Sequence, residues 1–148
     1  VITYNKGYLR VVESAPTLTC ENASDYYTVA SASSGNKKLS YPIGLVTADE
    51  MMLAGHAGGV FDGTYNHMKT NNGSYLVTGN AFWTMTPAGG YNPFGNTRWL
   101  AFVFSVHGSG SIADNDVPNA FGIRSVINIR SNVTITGTGT ITNPYVVN

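Results

Sequence analysis

Charged side chains are scarce in this chain of 148 residues. Asp, Glu, Lys and Arg make up only 11% of it, against roughly 25% in an average soluble domain, and Asn, Ser, Thr, Gly and Tyr take their place. A neutral surface of amides and hydroxyls is typical of exported proteins. The 8 basic and 8 acidic residues cancel, and no segment gathers Lys or Arg to meet phosphates or an anionic membrane. We therefore expect an extracellular or cell-surface protein that binds no nucleic acid.

Long apolar runs are also missing. No stretch approaches the roughly 18–20 residues of a membrane-spanning helix, so no membrane span is expected. The sequence starts at Val1-Ile2-Thr3 with neither an initiator Met nor a signal-peptide pattern. We expect a mature or trimmed head of a longer exported protein, with any targeting segment upstream. A chain of this length has room for one core, and residues 1–148 are predicted to form a single domain.

Cysteine occurs once, at Cys20. A single thiol excludes an intrachain disulfide and a four-cysteine zinc site. Two interpretations stay open for Cys20. It is either a buried apolar thiol or one half of a disulfide to another chain or a removed segment, and the second interpretation permits self-association.

What the chain has instead is a β pattern. Short runs of β-branched and aromatic residues are separated by clusters of Gly, Asn, Pro and Ser, which predicts an α+β, β-dominated domain with long loops. Residues 100–106 show the clearest alternation, with Leu100, Phe102, Phe104 and Val106 predicted to face the core. The predicted strands are 8–12, 26–30, 74–77, 81–85, 100–106, 121–129, 133–136 and 144–147.

One helix is well specified. Thr47-Ala48-Asp49-Glu50 has the pattern of a capping box, in which Thr47 and Glu50 satisfy each other's backbone amides. Apolar residues follow, and Gly55 is placed to end the helix. Asp49 and Glu50 also complement the positive end of the helix dipole, so we interpret this acidic pair as helix architecture and not as a catalytic dyad.

Three stretches have little regular period and are predicted to be loops: 55–72, 86–97 and 108–119. Long loops held by a rigid sheet often bind ligands. The aromatic and Asn residues of these loops suit that role, because aromatic rings bury a large area at low entropic cost and amide side chains adapt their hydrogen bonds to the ligand. The alternative is that the aromatic rings fill the core beneath the loop. For Trp99 the core and the binding interpretations are equally favoured, whereas Tyr91 and Asn92 are expected to be exposed. The candidate ligand-binding residues are Tyr91, Asn92, Phe94, Asn96, Arg98, Trp99, His107, Ser109 and Asn115.

No recognisable catalytic set accompanies these residues. His56, His67 and His107 have no metal-binding spacing and are interpreted as surface or loop residues. Ser109 lies in Gly-Ser-Gly-Ser, which does not fit the nucleophile pattern G-x-S-x-G. The run from Asp114 to Asp116 is interpreted as a solvated turn. Calcium bound by Asp114 and Asp116 is the alternative, although the downstream Glu of a helix-loop-helix calcium site is absent.

Several blocks of sequence resemble a known family. They are Tyr41-Pro42-Ile43-Gly44-Leu45-Val46-Thr47-Ala48-Asp49-Glu50, Phe82-Trp83-Thr84-Met85-Thr86-Pro87, Phe121-Gly122-Ile123-Arg124-Ser125-Val126-Ile127-Asn128-Ile129 and Gly139-Thr140-Ile141-Thr142-Asn143-Pro144-Tyr145. In this order they resemble the head module of exported Firmicutes surface proteins, many of which have prepilin-type leaders. The module is similar in fold to the C-type-lectin-like sulfatase-modifying-factor proteins and to variable proteins diversified by retroelements.

The resemblance implies a twisted antiparallel sheet, one or two helices, and a ligand face built from the loops before Gly122-Ile123-Arg124. It also implies that Trp83 is a buried core residue and that Arg124 donates hydrogen bonds to carbonyls of the neighbouring loop. The chain departs from the family pattern at Ser125, where Pro is usual. It lacks the Glu-Pro-Asn and Trp-Asn-Asp motifs of animal lectins, and Cys20 alone cannot supply the cysteine pair of the oxidising enzymes of this fold.

Our leading hypothesis is a non-enzymatic recognition or adhesion head, in which residues 86–119 contact an extracellular protein or glycan. The alternative is a structural subunit whose same face packs against copies of itself in a pilus or surface filament. An unrecognised enzyme is the third reading. No cofactor other than the calcium alternative is expected.

Overall fold

The computed structural model describes residues 2–19, 27–28, 37–38, 40–41, 43–56, 76–92, 100–129, 131–140 and 142–148. These residues contain two short helices and eleven strands, so the α+β, β-dominated class is confirmed. The narrower C-type-lectin-like fold stays a prediction. In chain order the elements are β1 (Ile2–Tyr4), α1 (Lys6–Val12), β2 (Tyr27–Thr28), β3 (Lys37–Lys38), β4 (Ile43–Leu45), α2 (Ala48–Leu53), β5 (Phe82–Tyr91), β6 (Leu100–Val106), β7 (Ile112–Asp116), β8 (Gly122–Ile123), β9 (Ser125–Ile127), β10 (Ile135–Thr136) and β11 (Val146–Val147).

The main sheet has the order β1-β5-β6-β7, and each of these neighbours is antiparallel. Strand β8 pairs in parallel with the beginning of β5. Three two-stranded ribbons lie outside this path: β4 with β9 and β10 with β11 are antiparallel, and β2 with β3 is parallel. Strand β6 is therefore joined to β7 by a turn at one end of the sheet and to β5 at the other.

Both helices pack against one face of the sheet, which we call the helix face. Alternate residues of β5 are buried there, beginning with Phe82 and Thr84, and Phe104 and Val106 of β6 join them as predicted from the alternation. Met51 of α2 is fully buried in the same cluster. We call the opposite side, which carries Trp83 and the other alternate residues, the outer face.

The first helix was not predicted, since residues 8–12 were expected to form a strand. The β-branched and aromatic composition of these residues favours strands. In the structure Tyr8 and Val11, three positions apart, are both buried against the core, and Tyr8 stacks on Tyr4 with ring centroids 4.0 Å apart. Packing of this face outweighed local propensity.

The second helix begins as the sequence predicts. The Thr47 hydroxyl accepts from the Glu50 amide at 3.0 Å, and the Glu50 carboxylate accepts from the Thr47 amide at 2.7 Å, which is a complete capping box. Gly55, with φ of 91°, follows the last turn, in the left-handed conformation that favours glycine after a helix.

Asp49 of α2 connects the two helices through an ion pair with α1. Its carboxylate is bonded by Arg10 of α1 at 2.7 and 2.9 Å and by the Thr17 amide at 3.1 Å. Burial acts to raise the pKa of Asp49, but the bonds from Arg10 and Thr17 and the Arg10 charge outweigh burial and hold it below its ordinary value. Glu50 therefore completes the cap of α2, and Asp49 connects α2 to α1.

Two stretches expected to be irregular contain strands. Residues 86–91 continue β5, with register shifts on either side of Pro87. Gly89 allows β1 to approach, because a Cβ at this position would collide with the carbonyl of Thr3. Residues 112–116 form β7 although Asp and Asn are poor strand formers. Pairing with β6 overrides composition in both places.

Other predicted strands are shorter than expected. Residues 121–129 give two strands, β8 and β9, that are interrupted at Arg124, and residues 133–136 and 144–147 give the two-residue strands β10 and β11. Leu76 and Val77 are not in a strand. Residues 74 and 75, and most of 26–30, lie outside the described residues.

Candidate functional site

The expected ligand-binding residues fall at two ends of the β5–β6 hairpin. Tyr91 pairs with Leu100 at the β5–β6 connection, and Phe82 pairs with Val106 next to the β6–β7 turn. The seven residues of β6 span about 20 Å at the usual rise of a strand. The structure therefore does not bring Tyr91 together with His107, and the expected set divides into two groups.

The group at the β5–β6 connection is only partly described. Asn92 is 8% exposed, so the expectation that it is exposed is wrong, and Tyr91 is half-buried. Four of the expected binding residues lie outside the described residues: Phe94, Asn96, Arg98 and Trp99. Cys20 and His67 lie outside them as well.

The other group lies on the outer face. Phe121, in the return from β7 to β8, packs on Trp83 with ring centroids 4.8 Å apart and an interplanar angle of 44°. The His107 ring lies 6.2 Å from Phe121 at 60°. Trp83, Phe121 and His107 are each half-buried, so their rings line one continuous strip of surface beside the β6–β7 turn.

Asn115 completes this strip with polar groups. Its amide nitrogen donates to the Ser105 hydroxyl at 2.8 Å and to His107 Nε2 at 3.1 Å, and it lies 3.4 Å from the Ala113 carbonyl oxygen. Register explains the contact, because Val103 pairs with Asn115 and Ser105 with Ala113, which places these residues on one face. We call Trp83, Ser105, His107, Asn115 and Phe121 the outer-face cluster.

The protonation state of His107 follows from this geometry. Since an amide nitrogen only donates, His107 Nε2 accepts and the ring proton of the neutral imidazole is on Nδ1. Burial lowers the pKa of His107 below its ordinary value, because a charged ring loses hydration there. The cluster thus presents a neutral imidazole, an amide and two apolar rings.

Ser109 lies at the tip of the β6–β7 turn. It is exposed, and its hydroxyl lies 3.1 Å from that of buried Ser111. Gly110 adopts a φ of 85°, which only glycine adopts easily. The turn is therefore a tight and well-bonded structure at the edge of the outer-face cluster.

The acidic residues of β7 do not converge with Asn115 on one point. Asp114 and Asp116 alternate with Asn115 along the strand, so their side chains lie on the other face. Burial and, less strongly, the charge of Asp116 raise the pKa of Asp114, against an opposing backbone hydrogen bond. The interpretation of these residues as a solvated turn is wrong. In the part of the chain that is described, no group of three His, Cys, Asp or Glu side chains could hold a metal ion.

Two residues singled out by the family resemblance are placed differently from expectation. Trp83 is half-buried on the outer face, and its neighbour Phe82 occupies the core. Arg124 lies with its guanidinium 4.5 Å from the centre of the Phe82 ring, and it donates to the Thr78 hydroxyl at 2.6 Å. The acceptor of this hydrogen bond is a side-chain hydroxyl and not one of the expected loop carbonyls.

Phe121 and Ser105 are members of the cluster that sequence reasoning missed. Phe121 was placed in a strand, and the signal that could have found it is its position at the end of a Pro-containing return, just before the Gly122-Ile123 strand. Ser105 interrupts an apolar strand, and a polar residue there indicates a polar partner across the sheet.

Among the described residues no helix is long and apolar enough to span a membrane. Comparisons with protein-family models, with curated proteins and with solved structures each gave no match.

Proposed function

We propose that this protein is a non-enzymatic recognition module that binds an extracellular protein or glycan through the outer-face cluster. The observation that carries the proposal is the strip formed by Trp83, Phe121, His107 and Asn115, in which apolar rings 4.8 Å apart adjoin a hydrogen-bonded amide and imidazole. The proposal places the protein at the cell surface or outside the cell, as its low charge favours.

The chemistry of the cluster supports binding. Aromatic rings offer large, rigid contact areas, and amide and imidazole groups fix the orientation of a polar ligand. The ring and amide positions are already set by packing and by the Asn115 bonds to Ser105 and His107. A preorganised surface loses less conformational freedom when it binds.

The same composition argues against catalysis. General acid–base or nucleophilic chemistry needs a group free to exchange a proton with the substrate. In the cluster, His107 Nε2 already accepts from Asn115, and the buried Ser105 hydroxyl lies between Asn115 and the Ala113 carbonyl. These hydrogen bonds fix the positions of the polar side chains on the outer face.

An array of glycans and extracellular proteins probed with the purified head tests the proposal. The wild-type protein should bind a small set of hits, and Phe121→Ala should lose them with the fold intact by circular dichroism. Tyr145→Ala is the matched control, because it removes an aromatic ring that is 66% exposed in the C-terminal segment. Binding that survives Phe121→Ala but fails in the control would reject the cluster as the binding surface.

A structural subunit is the second candidate, and one observation favours it. Ile43 of β4 and Ile127 of β9 are cross-strand partners, yet they are 51% and 64% exposed. Paired apolar residues left in solvent are typical of a surface that packs against another molecule. Sedimentation at increasing concentration distinguishes the candidates, since a filament subunit should associate and Ile127→Ser should prevent the association.

A further inference from the structure

Two polar atoms of the outer-face cluster are open to a ligand. Asn115 uses its amide nitrogen for the contacts to Ser105 and His107, and its Oδ1 has no hydrogen-bond partner in the described part of the chain. His107 uses Nε2 in the contact to Asn115, so its proton is on Nδ1, which has no partner there either. The buried side-chain atoms without a partner belong to other residues, so both of these atoms face solvent.

Accessible aromatic rings lie beside this donor and this acceptor. The His107 ring is 6.2 Å from Phe121, and Phe121 is 4.8 Å from Trp83. Each of the three side chains is half-buried, so part of each ring is exposed. Because packing already holds these rings, they can bury the apolar area of a ligand at little cost in conformational entropy. A ring-sized ligand can therefore contact an apolar area and a polar pair together.

The outer face around the cluster carries no charged side chain among the described residues. None occurs in β5, β6, the β6–β7 turn or the return from β7 to β8. Asp114 and Asp116 of β7 lie on the other face, and the Arg124 guanidinium lies over the ring of Phe82, a core residue. A charged ligand would lose hydration here without gaining a counter-ion, which is costly. The outer face therefore favours an uncharged ligand.

The size of the cluster favours a small ligand unit over a protein. A stable protein interface buries about 800 Å² and roughly 20–30 residues on each side, whereas the cluster consists of a few side chains, of which Ser105 is fully buried. Ile123, which pairs with Trp83 in β8, is a neighbouring apolar residue that is 70% exposed. A protein partner would have to cover Ile123 as well, whereas a ligand the size of one sugar ring need not.

We propose that the outer-face cluster binds an uncharged pyranose, whose C–H face packs on the Phe121 and Trp83 rings while two adjacent hydroxyls bond to His107 Nδ1 and Asn115 Oδ1. This inference rests on the proposed recognition function, and it narrows the ligand of that site from a protein or glycan to a neutral saccharide.

A pyranose matches both parts of the cluster. Its C–H groups form an apolar face, and each hydroxyl at its rim can donate one hydrogen bond and accept others. One hydroxyl can therefore accept from His107 Nδ1 while its neighbour donates to Asn115 Oδ1. The bonds from Asn115 to Ser105 and His107 hold the two polar groups in place before a ligand arrives, so little conformational freedom is lost on binding.

Isothermal titration calorimetry with defined saccharides tests the proposal. The probes are neutral oligosaccharides of glucose, galactose, mannose and N-acetylglucosamine, and an oligogalacturonate is the anionic probe. A neutral probe should bind and the oligogalacturonate should not. In proton NMR spectra, C–H protons of the bound sugar should shift upfield because they lie over aromatic rings. Among monodeoxy derivatives of that probe, the two that lack one of the contacted hydroxyls should each bind about fivefold more weakly.

Variants relate this binding to the cluster, with thermal unfolding as the check that each is folded. Phe121→Leu keeps an apolar side chain but removes the ring, and it should weaken saccharide binding about tenfold. His107→Phe keeps a ring but removes the donor, and it should weaken binding about fivefold. Tyr145→Leu, which removes a ring that is 66% exposed in the C-terminal segment, is the matched control and should bind as wild type. Ile123→Ser should weaken binding less than Phe121→Leu, and equal losses would contradict the proposal.

The outcomes separate this inference from the proposed function. If the array identifies a protein whose binding is lost in Phe121→Ala, the cluster is the binding surface but a saccharide is not its ligand, and this inference alone fails. It also fails if no neutral probe binds at millimolar concentration, or if the oligogalacturonate binds as tightly as the neutral probes. Binding of a neutral saccharide that Phe121→Leu and His107→Phe leave unchanged would overturn both.

Discussion

The two faces of the same sheet are built from alternate residues of the same strands, yet they have different chemistry. On the helix face, Phe82, Phe104 and Val106 are buried under α1 and α2. On the outer face, Trp83, Ser105 and His107 are their immediate neighbours in sequence, and they contact Phe121 and Asn115. One face is covered by helices, and the other is lined by a return segment that leaves its rings half exposed.

The difference indicates which face of the sheet stabilises the fold. Burial of apolar area is the main source of folding free energy, and most of the buried apolar residues lie on the helix face. Polar groups of the outer face satisfy one another within the sheet. Substitutions on the helix face should therefore reduce stability, whereas those on the outer face should mainly affect binding.

The largest contrast should come from two aromatic residues. Phe104→Ala empties a position that is 2% exposed and should lower the free energy of unfolding by about 3–5 kcal/mol, as for other buried Phe. Trp83→Ala, although Trp is larger, should cost only about 1–3 kcal/mol because the ring is half-buried. Urea unfolding of both variants measures the difference. Equal losses would mean that Trp83 is a core residue after all.

Polar residues should follow the same division. Asp49→Asn removes the negative charge that accepts hydrogen bonds from Arg10 and from the Thr17 amide. It should lower the free energy of unfolding by about 2–3 kcal/mol, less than for a fully buried ion pair because the Arg10 side chain is 29% exposed. The effect should be present at pH 7 and shrink as the pH falls below the ordinary carboxyl range, because wild-type Asp49 then becomes protonated too. A variant loss that is constant from pH 7 to 3 contradicts this account.

Asn115→Ala is the outer-face counterpart of Asp49→Asn. It removes the bonds to Ser105 and His107 and should lower stability by about 1 kcal/mol, the usual net value of such hydrogen bonds. Thermal unfolding at pH 7.5 gives the number. A loss as large as that of Asp49→Asn would show that the outer face also holds the fold together.

Thr47→Ala should have a similarly small effect, although the residue belongs to the helix layer. The substitution removes the hydroxyl that accepts from the Glu50 amide, which is worth about 1 kcal/mol for a helix N-cap. Thr47→Ser, which keeps the hydroxyl, should restore most of the loss. Failure of Ser to restore it would mean that packing of the Thr methyl, and not the cap, is responsible.

The parts of the fold that the sequence predicted are those whose signals are local. The capping box at Thr47 and Glu50 depends on residues a few positions apart, and it is confirmed. The alternation in β6 is confirmed for Phe104 and Val106, whereas Leu100 and Phe102 are only half-buried. Strand β7 and the second half of β5 could not be predicted from composition, since Asp, Asn, Gly and Pro disfavour strands. Their pairing with β6 supplies what local propensity does not.

The candidate site depends still more on distant contacts. The outer-face cluster requires the pairing of Trp83 with Ser105, the pairing of Val103 with Asn115, and the return that brings Phe121 onto Trp83. No spacing in the sequence encodes these three contacts together. His107 and Asn115 were identified by their loop-like surroundings, and the structure shows that Asn115 lies in a strand.

The most direct test of the account is a map of backbone amide chemical shifts when a ligand found on the array is added to the protein. The account predicts changes in β6 and β7 near the turn and at Phe121 and Trp83, with residues of α1 and α2 unaffected. Changes centred on Tyr91 and Asn92 at the other end of the hairpin, with the outer-face cluster unchanged, would contradict it.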